Sequence, residues 1–460
     1  MGCLTIKKAI SSDHGTDTGW DLSTMGSGQA KWSSGNTFTS GYWTLDGQTG
    51  SGFSVSPPDV TPTHYGFDMS LYAANTLAAG SSSTINNVEL RHIYASVGTT
   101  NNASAAGYFV ANVDAGVVAT NLVVSHCLLI GYNQALREYK ANWNNTMWQY
   151  NNYLWMQSSS DLHGNPINII WSIANNMTVR YSLFYRTWAS GSRAGLSDCI
   201  SGNGGTFNGL KVYGNVFDGA QSGDPVIGAF KGSTGGPDHG YIWNARVFNN
   251  TFLNTDAGYT GGTSSNGLFG SLDGGSGNIF QNNLAYNTIA NVNYCTHDYN
   301  MFVYSVTTWV NNEAHGVYVN SVSSVGNNYA PSSFDIFTNW AGMDYSLKSN
   351  TVPGMKTVQT MRKGSYKLAT FKRLDLGYGI ALKTKQGKEA IVVFPETSKI
   401  SDLKNLRNMD SIITKSISDS KSELAATKSD LENNPFHAKY HSVPFPRLLK
   451  AGLLVQNSIS

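Results

Sequence analysis

Charge is scarce in this sequence, and so are proline and cysteine. Charged residues make up 13% of the 460 residues, and there are only 12 prolines and four cysteines. The cysteines at 3, 127, 199 and 295 are far apart and form no CxxC, so neither a disulfide framework nor a metal site is predicted. Cys127 lies within a strand-like unit and is expected to be a small buried apolar residue.

Long apolar runs are missing as well. No stretch approaches the roughly 18 apolar residues of a membrane helix, so we expect no membrane partner. Residues 1–12 lack the apolar core of a secretory signal, which predicts no ordinary export route. The chain also contains no Gly-rich phosphate loop and no Gly-x-Ser-x-Gly elbow, so nothing indicates a nucleotide site or a serine hydrolase.

What the chain does contain is a short motif that recurs four times between residues 175 and 287. Each copy has two apolar residues about five positions apart, with a polar residue two positions before the second. The second apolar residues are spaced 33, 35 and 32 residues apart: Phe184, Phe217, Phe252 and Leu284. The polar residues are Ser182, Asn215, Asn250 and Asn282. Such spacing is typical of a solenoid.

The copies alternate apolar and polar residues with a period of two, and none has a helical apolar stripe. Gly, Asn, Ser and Asp fill the gaps between them, as turns require. This pattern predicts a coil of short parallel strands. An asparagine that returns to one slot predicts a ladder of stacked amides, in which the buried side chains satisfy one another's hydrogen bonds.

These units resemble a known superfamily. The Val-x-x-Asn-x-Phe repeats, Asp298–Phe302 and Asp344–Leu347 are similar to segments of right-handed parallel β-helix proteins, the pectate-lyase-like enzymes and phage tailspikes. The resemblance covers residues 85–350 and is carried by structural residues, not by a catalytic motif. It implies an all-β fold, a right-handed parallel β-helix solenoid, to which we add a small C-terminal α+β domain and an extended arm.

Composition divides the chain near residue 353. We predict an N-terminal cap and first turns over 1–84, the β-helix over 85–353, and a docking domain over 354–460. Residues 1–354 carry 13 Lys and Arg against 20 Asp and Glu, a net charge of −7, whereas 355–460 carry 18 against 9, a net charge of +9. The last region predicts three strands, a helix and an arm, at 366–374, 380–384, 390–394, 400–433 and 435–460.

Insertions are predicted to interrupt the coil, and in solenoids they often form the binding face. They span 135–145, 157–166, 188–206, 221–241 and 255–276. The resemblance implies polysaccharide chemistry there, with an Arg or Lys base in a lyase or two carboxylates in a hydrolase. The candidate catalytic residues are Arg186, Arg193, Asp198, Asp224 and Asp238. The candidate glycan-binding residues are Trp188, Tyr241, His163 and His239. We expect no cofactor or metal, except calcium if the protein is a lyase.

Two functions remain open from the sequence. One is a virion surface component, tailspike-like, fibre, decoration or minor capsid, that displays the β-helix to a cell-surface glycan and docks other subunits through 355–460. The other is a lyase or glycoside hydrolase that acts on acidic polysaccharide. Both predict a virion or extracellular location, and we expect a homo-oligomer. A nucleic-acid partner is not expected, because acidic residues interrupt the lysines of the basic region.

Overall fold

The computed structural model divides the chain into two compact units, residues 1–354 and 355–460. The residues that it describes are 3–10, 28–53, 57–78, 84–97, 107–112, 116–140, 142–158, 165–185, 188–189, 199–219, 225–230, 240–255, 267–271, 274–307, 310, 312–319, 321, 337–339, 343–347, 367–374, 377–383 and 389–394. Among them, no helix is long and apolar enough to span a bilayer.

The first unit is a solenoid of short parallel strands, which confirms the predicted all-β coil. Four long parallel sheets, here called A to D, run along it. The chain visits the sheets in a fixed order. It passes through sheet D at Thr84–Asn86, sheet A at Val88–Arg91, sheet B at Ile93–Ser96 and sheet C at Tyr108–Asn112, and then enters sheet D again at Val118–Thr120. Each circuit therefore adds one strand to every sheet.

Sheets A and B are the longest, with ten and eleven strands. Sheet A consists of Leu4–Lys7, Trp43–Asp46, Val88–Arg91, Val123–Ser125, Met147–Gln149, Thr178–Arg180, Lys211–Tyr213, Arg246–Phe248, Ile279–Gln281 and Thr296–Asp298. Sheet B consists of Ala30–Lys31, Phe67–Asp68, Ile93–Ser96, Leu128–Ile130, Asn152–Leu154, Leu183–Tyr185, Val216–Asp218, Thr251–Leu253, Leu284–Tyr286, Met301–Val303 and Val317–Val319.

Sheets C and D have eight and six strands. Sheet C consists of Asn36–Phe38, Ala73–Leu77, Tyr108–Asn112, Gln134–Tyr139, Ile167–Ile170, Ile200–Asn203, Ile227–Phe230 and Phe269–Ser271. Sheet D consists of Thr84–Asn86, Val118–Thr120, Asn142–Asn144, Ile173–Asn175, Thr206–Asn208 and Tyr241–Trp243. A short parallel pair joins Gln157–Ser158 to Trp188–Ala189, and a 3₁₀ helix spans Pro62–His64.

A five-residue unit explains how the chain turns the corners from sheet D to A and from A to B. Three residues form a strand, the fourth has a positive φ, and the fifth points into the coil. In one turn Asn244, Asn249 and Asn254 are the fourth residues, with φ of 57°, 56° and 53°. Asparagine and glycine adopt this left-handed conformation with the least strain, which accounts for much of the chain's Asn and Gly content.

The core is built from the middle residue of each strand. In sheet B the rings of Tyr153, Phe184, Phe217 and Phe252 stack on successive turns, with centroids 4.6, 4.8 and 4.9 Å apart. All four rings are completely buried, and so is Cys127, as the sequence predicted. Burial raises the pKa of the Cys127 thiol to about 12, so this cysteine is an inert core residue. All four cysteines are free.

A ladder of buried polar side chains follows sheet A, at the fifth residue of each unit. Asn250 Oδ1 accepts hydrogen bonds from the backbone N–H and the side-chain Nδ2 of Asn215, at 3.1 and 3.0 Å. Asn215 Oδ1 in turn accepts the backbone N–H of Ser182 at 3.0 Å. Each asparagine Nδ2 also donates to a backbone carbonyl of the preceding turn, such as Val212 O at 2.9 Å from Asn250. These amides therefore satisfy one another inside the coil.

The polar residue predicted for the fourth copy of the motif, Asn282, is wrong by one position. Asn283, not Asn282, continues the ladder, because its Oδ1 accepts the backbone N–H of Asn250 at 3.0 Å. Asn282 is the corner residue of that turn, with φ of 56°. Phe252 accordingly pairs in register with Ala285 and not with Leu284. Asparagine suits both the corner position and the ladder position, so only the register of the strands shows which of the two asparagines occupies which.

The predicted insertions are also corrected, because they contain strands of the coil. Residues 135–145 are not an insertion: strands of sheets C and D occupy Gln134–Tyr139 and Asn142–Asn144. Sheet C strands likewise lie inside the ranges 188–206, 221–241 and 255–276. The segments on both sides of sheet C vary in length. Between sheets B and C they run from three residues at 131–133 to fifteen at 254–268, and between sheets C and D from two at 140–141 to ten at 231–240.

The end of the first unit also differs from the prediction. Asp344–Leu347, one of the segments that carried the resemblance, pairs antiparallel with Phe337–Asn339 and is not a parallel turn of the coil. In the second unit, Lys367–Leu374, Gly377–Lys383 and Glu389–Phe394 form an antiparallel sheet. The predicted helix at 400–433 and the arm at 435–460 lie outside the described residues.

The ladder makes a stability prediction. Replacing Asn250 with Leu removes acceptors from Asn215 and leaves buried N–H groups unpaired, which should lower the free energy of unfolding by about 1–3 kcal/mol. Asn142→Leu is the matched control, because Asn142 is an exposed strand residue and its change should be nearly neutral. Urea unfolding followed by circular dichroism measures both. Equal stability of the two variants would contradict the ladder.

Candidate functional site

Most of the candidate site residues predicted from the sequence lie outside the described residues. These are Arg186, Arg193, Asp198, Asp224, Asp238, His163 and His239. Trp188 lies in the strand that pairs with Gln157–Ser158. Tyr241 begins a strand of sheet D, with its ring half-buried. The outer face of sheet A, by contrast, is described side chain by side chain over all ten strands.

Six aromatic rings follow one another along this outer face and the corner beside it. We call them the outer ring column: His92, His126, Tyr150, Tyr181, Tyr213 and Phe248. Successive ring centroids lie 5.1, 4.6, 5.5, 5.4 and 4.8 Å apart. All six rings are half-buried, so each keeps part of its surface in solvent. The column crosses six consecutive turns and forms a continuous aromatic strip.

The first four rings of the column occupy corner positions, where a bulky side chain is unusual. His126, Tyr150 and Tyr181 have φ of 55°, 58° and 49°. This conformation costs about 1–2 kcal/mol for most residues, and the other corners mostly use Asn or Gly. At the next turn the corner is Gly214, and a Cβ there would lie 2.6 Å from the Tyr181 ring. The Tyr181 ring therefore covers Gly214, and the column continues on the strand at Tyr213.

Three cations lie beside these rings, and we call Arg180, Lys211 and Arg246 the basic patch. Arg180 donates from Nη1 to the Tyr213 hydroxyl at 2.8 Å and from Nε and Nη2 to Gln149 Oε1 at 2.9 and 2.7 Å. Its guanidinium carbon is 5.8 Å from the centre of the Tyr181 ring and 5.9 Å from that of Tyr213. These contacts fix the Arg180 charge against the aromatic strip.

The other two cations are neighbours across the sheet. Lys211 pairs in register with Arg246, and Tyr213 pairs with Phe248. Adjacent strands are about 4.8 Å apart, so two cations and two rings form one compact block. The outer face carries no carboxylate between Val123–Ser125 and Ile279–Gln281. The three central strands of this stretch, which carry the basic patch, are thus aromatic and positively charged, which suits a ligand with apolar faces and negative charges.

Carboxylates appear only at the two ends of this face. At the N-terminal end, Asp46 Oδ1 lies 2.7 Å from His92 Nδ1, and Asp46 Oδ2 lies 2.8 Å from Arg91 Nη2. Burial alone would raise the pKa of Asp46. The hydrogen bonds from His92 and the Gln48 backbone, with the charge of Arg91, outweigh burial and lower it. Asp46 is therefore ionised at neutral pH and holds His92, the first ring of the column, in place.

Sheet D presents a second, smaller pair of rings. Tyr241 stacks on Trp243 with centroids 5.4 Å apart, and the Trp243 side chain is exposed. The preceding turns carry asparagines at the Trp243 position, and Asn208 Nδ2 donates to Asn175 Oδ1 at 3.3 Å. Tyr241 is the one predicted glycan-binding residue whose side chain is described, and it has a stacked partner that the sequence did not single out.

No family model matches the chain, and no curated protein matches it. Within the described parts of the chain, no three His, Cys, Asp or Glu residues lie together in a way that could hold a metal ion. The outer ring column was missed from the sequence, although one signal was available. A ring occurs at or beside the end of six successive sheet A strands, but it changes from the corner to the strand position at Tyr213.

Asp46 allows a prediction that depends on pH. Asp46→Asn removes the charge that pairs with Arg91 and His92 and should destabilise the protein by about 1.5–3 kcal/mol at neutral pH. Because the folded pKa of Asp46 is lowered, its contribution is present above the ordinary aspartate pKa of about 4 and is lost as the pH falls through the folded pKa. The stability difference between wild type and variant should therefore shrink below about pH 4. Urea titrations at several pH values measure it, and a constant difference would contradict the pairing.

Proposed function

We propose that this protein is a structural component of a virion surface, whose solenoid binds a cell-surface glycan along the outer face of sheet A. The observation that carries the proposal is the outer ring column with the basic patch beside it. Aromatic faces pack against the C–H faces of sugars, and the cations favour glycans that carry carboxylate or sulfate groups. Tailspike-like, fibre, decoration and minor capsid roles all fit this arrangement.

The geometry of the scaffold supports glycan binding by an extended surface. The rings lie on or directly after consecutive parallel strands and contact one another, so little side-chain freedom is lost when a ligand binds. A ligand that lies along the column meets a ring at each turn, at intervals of about 5 Å. A flexible polymer with repeated saccharide units fits such a strip better than a single small molecule does.

The wider assignment rests on the same features. Parallel sheets, an internal asparagine ladder and stacked core rings support membership of the right-handed parallel β-helix superfamily, the pectate-lyase-like enzymes and tailspikes. The virion location is supported by the opposite net charges of the two units, −7 and +9, which suit a display unit and a docking unit. We assign residues 355–460 to docking with other subunits of the particle, and the whole chain to a homo-oligomer.

The first experiment measures glycan binding. Purified protein is tested on an array of neutral, carboxylated and sulfated glycans, with Tyr213→Ala and the double variant Lys211→Gln, Arg246→Gln. Each variant should bind acidic glycans about tenfold more weakly, the equivalent of about 1.4 kcal/mol. Tyr94→Ala and Lys31→Gln are matched controls, since Tyr94 is a half-buried sheet B ring and the Lys31 side chain is 77% exposed.

The outcomes of this experiment separate the two functions. Absence of binding to any glycan, or equal losses in the control variants, would rule out the proposed face. The same mixtures are assayed for unsaturated or reducing ends, because a lyase or hydrolase would release them. Product release that is lost in Arg193→Ala or Asp198→Ala would establish the enzyme alternative, and addition of calcium tests the lyase form. Binding without product leaves recognition as the function.

The second experiment concerns residues 355–460. A chain that ends at Gly354 contains the complete first unit, with sheets A to D. It should remain folded and keep its glycan binding, while particle or subunit assembly is lost. Circular dichroism, the glycan array and sedimentation of assembly mixtures measure these three properties. A truncated chain that fails to fold, or that still assembles normally, would show that 355–460 do not serve as a docking domain.

A further inference from the structure

The last described turns of the coil are closed by a segment that we call the end cap, residues 312–319. Its strand Val317–Val319 pairs in parallel with Met301–Val303 and extends sheet B. The Tyr318 ring stacks on the buried Phe302 ring, with centroids 5.3 Å apart. A solenoid must cover its final turn, because an open end exposes unpaired strand groups. Two histidine–carboxylate pairs also hold the end cap to the coil.

A histidine occupies the core position beneath the end cap. His297 pairs in register with Phe280, and the same slot in earlier turns holds Val179, Val212 and Val247. The partner of His297 is Glu313 of the end cap, with Nδ1 and Oε1 3.0 Å apart. The Glu313 side chain is completely buried, at 0% exposure. The apolar column of sheet A thus ends in a half-buried histidine that faces a buried carboxylate.

The same carboxylate also ends the asparagine ladder. Glu313 Oε2 accepts the backbone N–H of Asn300 at 3.0 Å, and Oε1 accepts Asn300 Nδ2 at 2.7 Å. Asn300 is the last amide of the ladder, since its Oδ1 accepts the N–H of Asn283 at 2.9 Å. Glu313 therefore takes the place of the next asparagine, and two Asn300 donors and the His297 ring nitrogen face one buried carboxylate. A deprotonated carboxylate meets this donor set best.

A second pair joins the end cap to the coil, and here the coil supplies the carboxylate and the end cap the histidine. Asp298 belongs to sheet A, and its Oδ2 lies 2.7 Å from Nδ1 of His315 in the end cap. Asp298 Oδ1 also accepts the backbone N–H of His315 at 2.8 Å. The ring of His315 stacks on Tyr299 with centroids 4.4 Å apart and planes within 1°. Each side of the contact thus supplies one histidine and one carboxylate.

The neighbouring titratable groups respond to these charges. Burial, and then the charge of Glu313, raise the pKa of Cys295 to about 12. The pKa of Tyr318 is also raised, by burial and by the charges of Glu313 and Asp298. Burial would raise the pKa of Asp298, but the hydrogen bonds from the His315 side chain and backbone, from the Tyr299 backbone and the charge of His315 lower it. Among the described residues, no cation other than these histidines pairs with Glu313 or Asp298.

We propose that the end cap is an acid-released latch, which closes the coil at neutral pH and detaches locally when Glu313 and Asp298 become protonated. Protonation of Glu313 removes the charge that the two Asn300 donors and the His297 ring face, and protonation of Asp298 removes the charge opposite His315. Because the pKa of Asp298 is lowered, its contribution is present above about pH 4 and disappears as the pH falls further. Release uncovers Phe302 and the edge of sheet B, which can pair with another strand.

The chain's own cysteines provide the test. Cys295 packs near Glu313, Cys3 is exposed, and Cys127 and Cys199 are buried in the coil. The full-length protein is treated with 4,4′-dithiodipyridine between about pH 7 and pH 2.5, so that the range passes below the ordinary aspartate pKa, and the labelling of each cysteine is measured by mass spectrometry. The rate at Cys3 corrects for the intrinsic effect of pH. The corrected Cys295 rate should rise by about tenfold or more on acidification, while Cys127 stays protected.

Two variants and a control define the mechanism. Glu313→Gln should label rapidly at Cys295 even at neutral pH and should lose the pH response, and Asp298→Asn should show the same change to a smaller extent. Glu89→Gln is the control. Glu89 forms an ion pair with Arg91 in sheet A, and its strand is far in sequence from the end cap. A corrected Cys295 rate that is independent of pH would overturn the latch. Labelling of Cys127 in step with Cys295 would also overturn it, because the whole coil would then be opening.

Discussion

The hydrogen bonds that pass from one buried asparagine to the next are the interaction on which the rest of the solenoid depends. Parallel strands of three residues offer few backbone bonds each, and a slip by one residue would turn every side chain to the other face. The amides of Asn215, Asn250 and Asn283 prevent such a slip, because each accepts the N–H of the residue that follows a left-handed corner. The ladder thus fixes the register, and the register fixes the core stack of phenylalanines.

The arrangement of side chains on the outer face of sheet A depends on the same register. Rings and cations on separate turns align only because the strands beneath them are in register, so the aromatic strip and the basic patch are consequences of the ladder. The corner positions of Tyr150 and Tyr181 show that the alignment has a cost, since Asn or Gly would fit there with less strain. Stacking between the rings offsets part of that cost, and the exposed ring edges are then available for a ligand.

The sequence predicted the parallel coil because its polar slot recurs, and it identified Asn215 and Asn250 as internal amides. It could not separate Asn282 from Asn283, since both positions favour asparagine for different reasons, one conformational and one hydrogen-bonding. Sheet C was missed because segments of variable length precede its strands and hide their period. The pair formed by His297 and Glu313 could not be predicted from the sequence pattern. The slot of His297 predicts an apolar residue, and its partner lies 16 residues away.

The unequal spacing of the corners determines where the sequence can gain or lose residues. From sheet D through sheet A to sheet B, consecutive strands begin five residues apart, as at Thr206, Lys211 and Val216. Between sheets B and C the number of residues varies fivefold among turns. A codon gained or lost in the first region displaces a corner and the amide behind it, whereas the second region absorbs added sequence without loss of register. New loops can therefore be recruited on one flank of the coil while its interior stays the same.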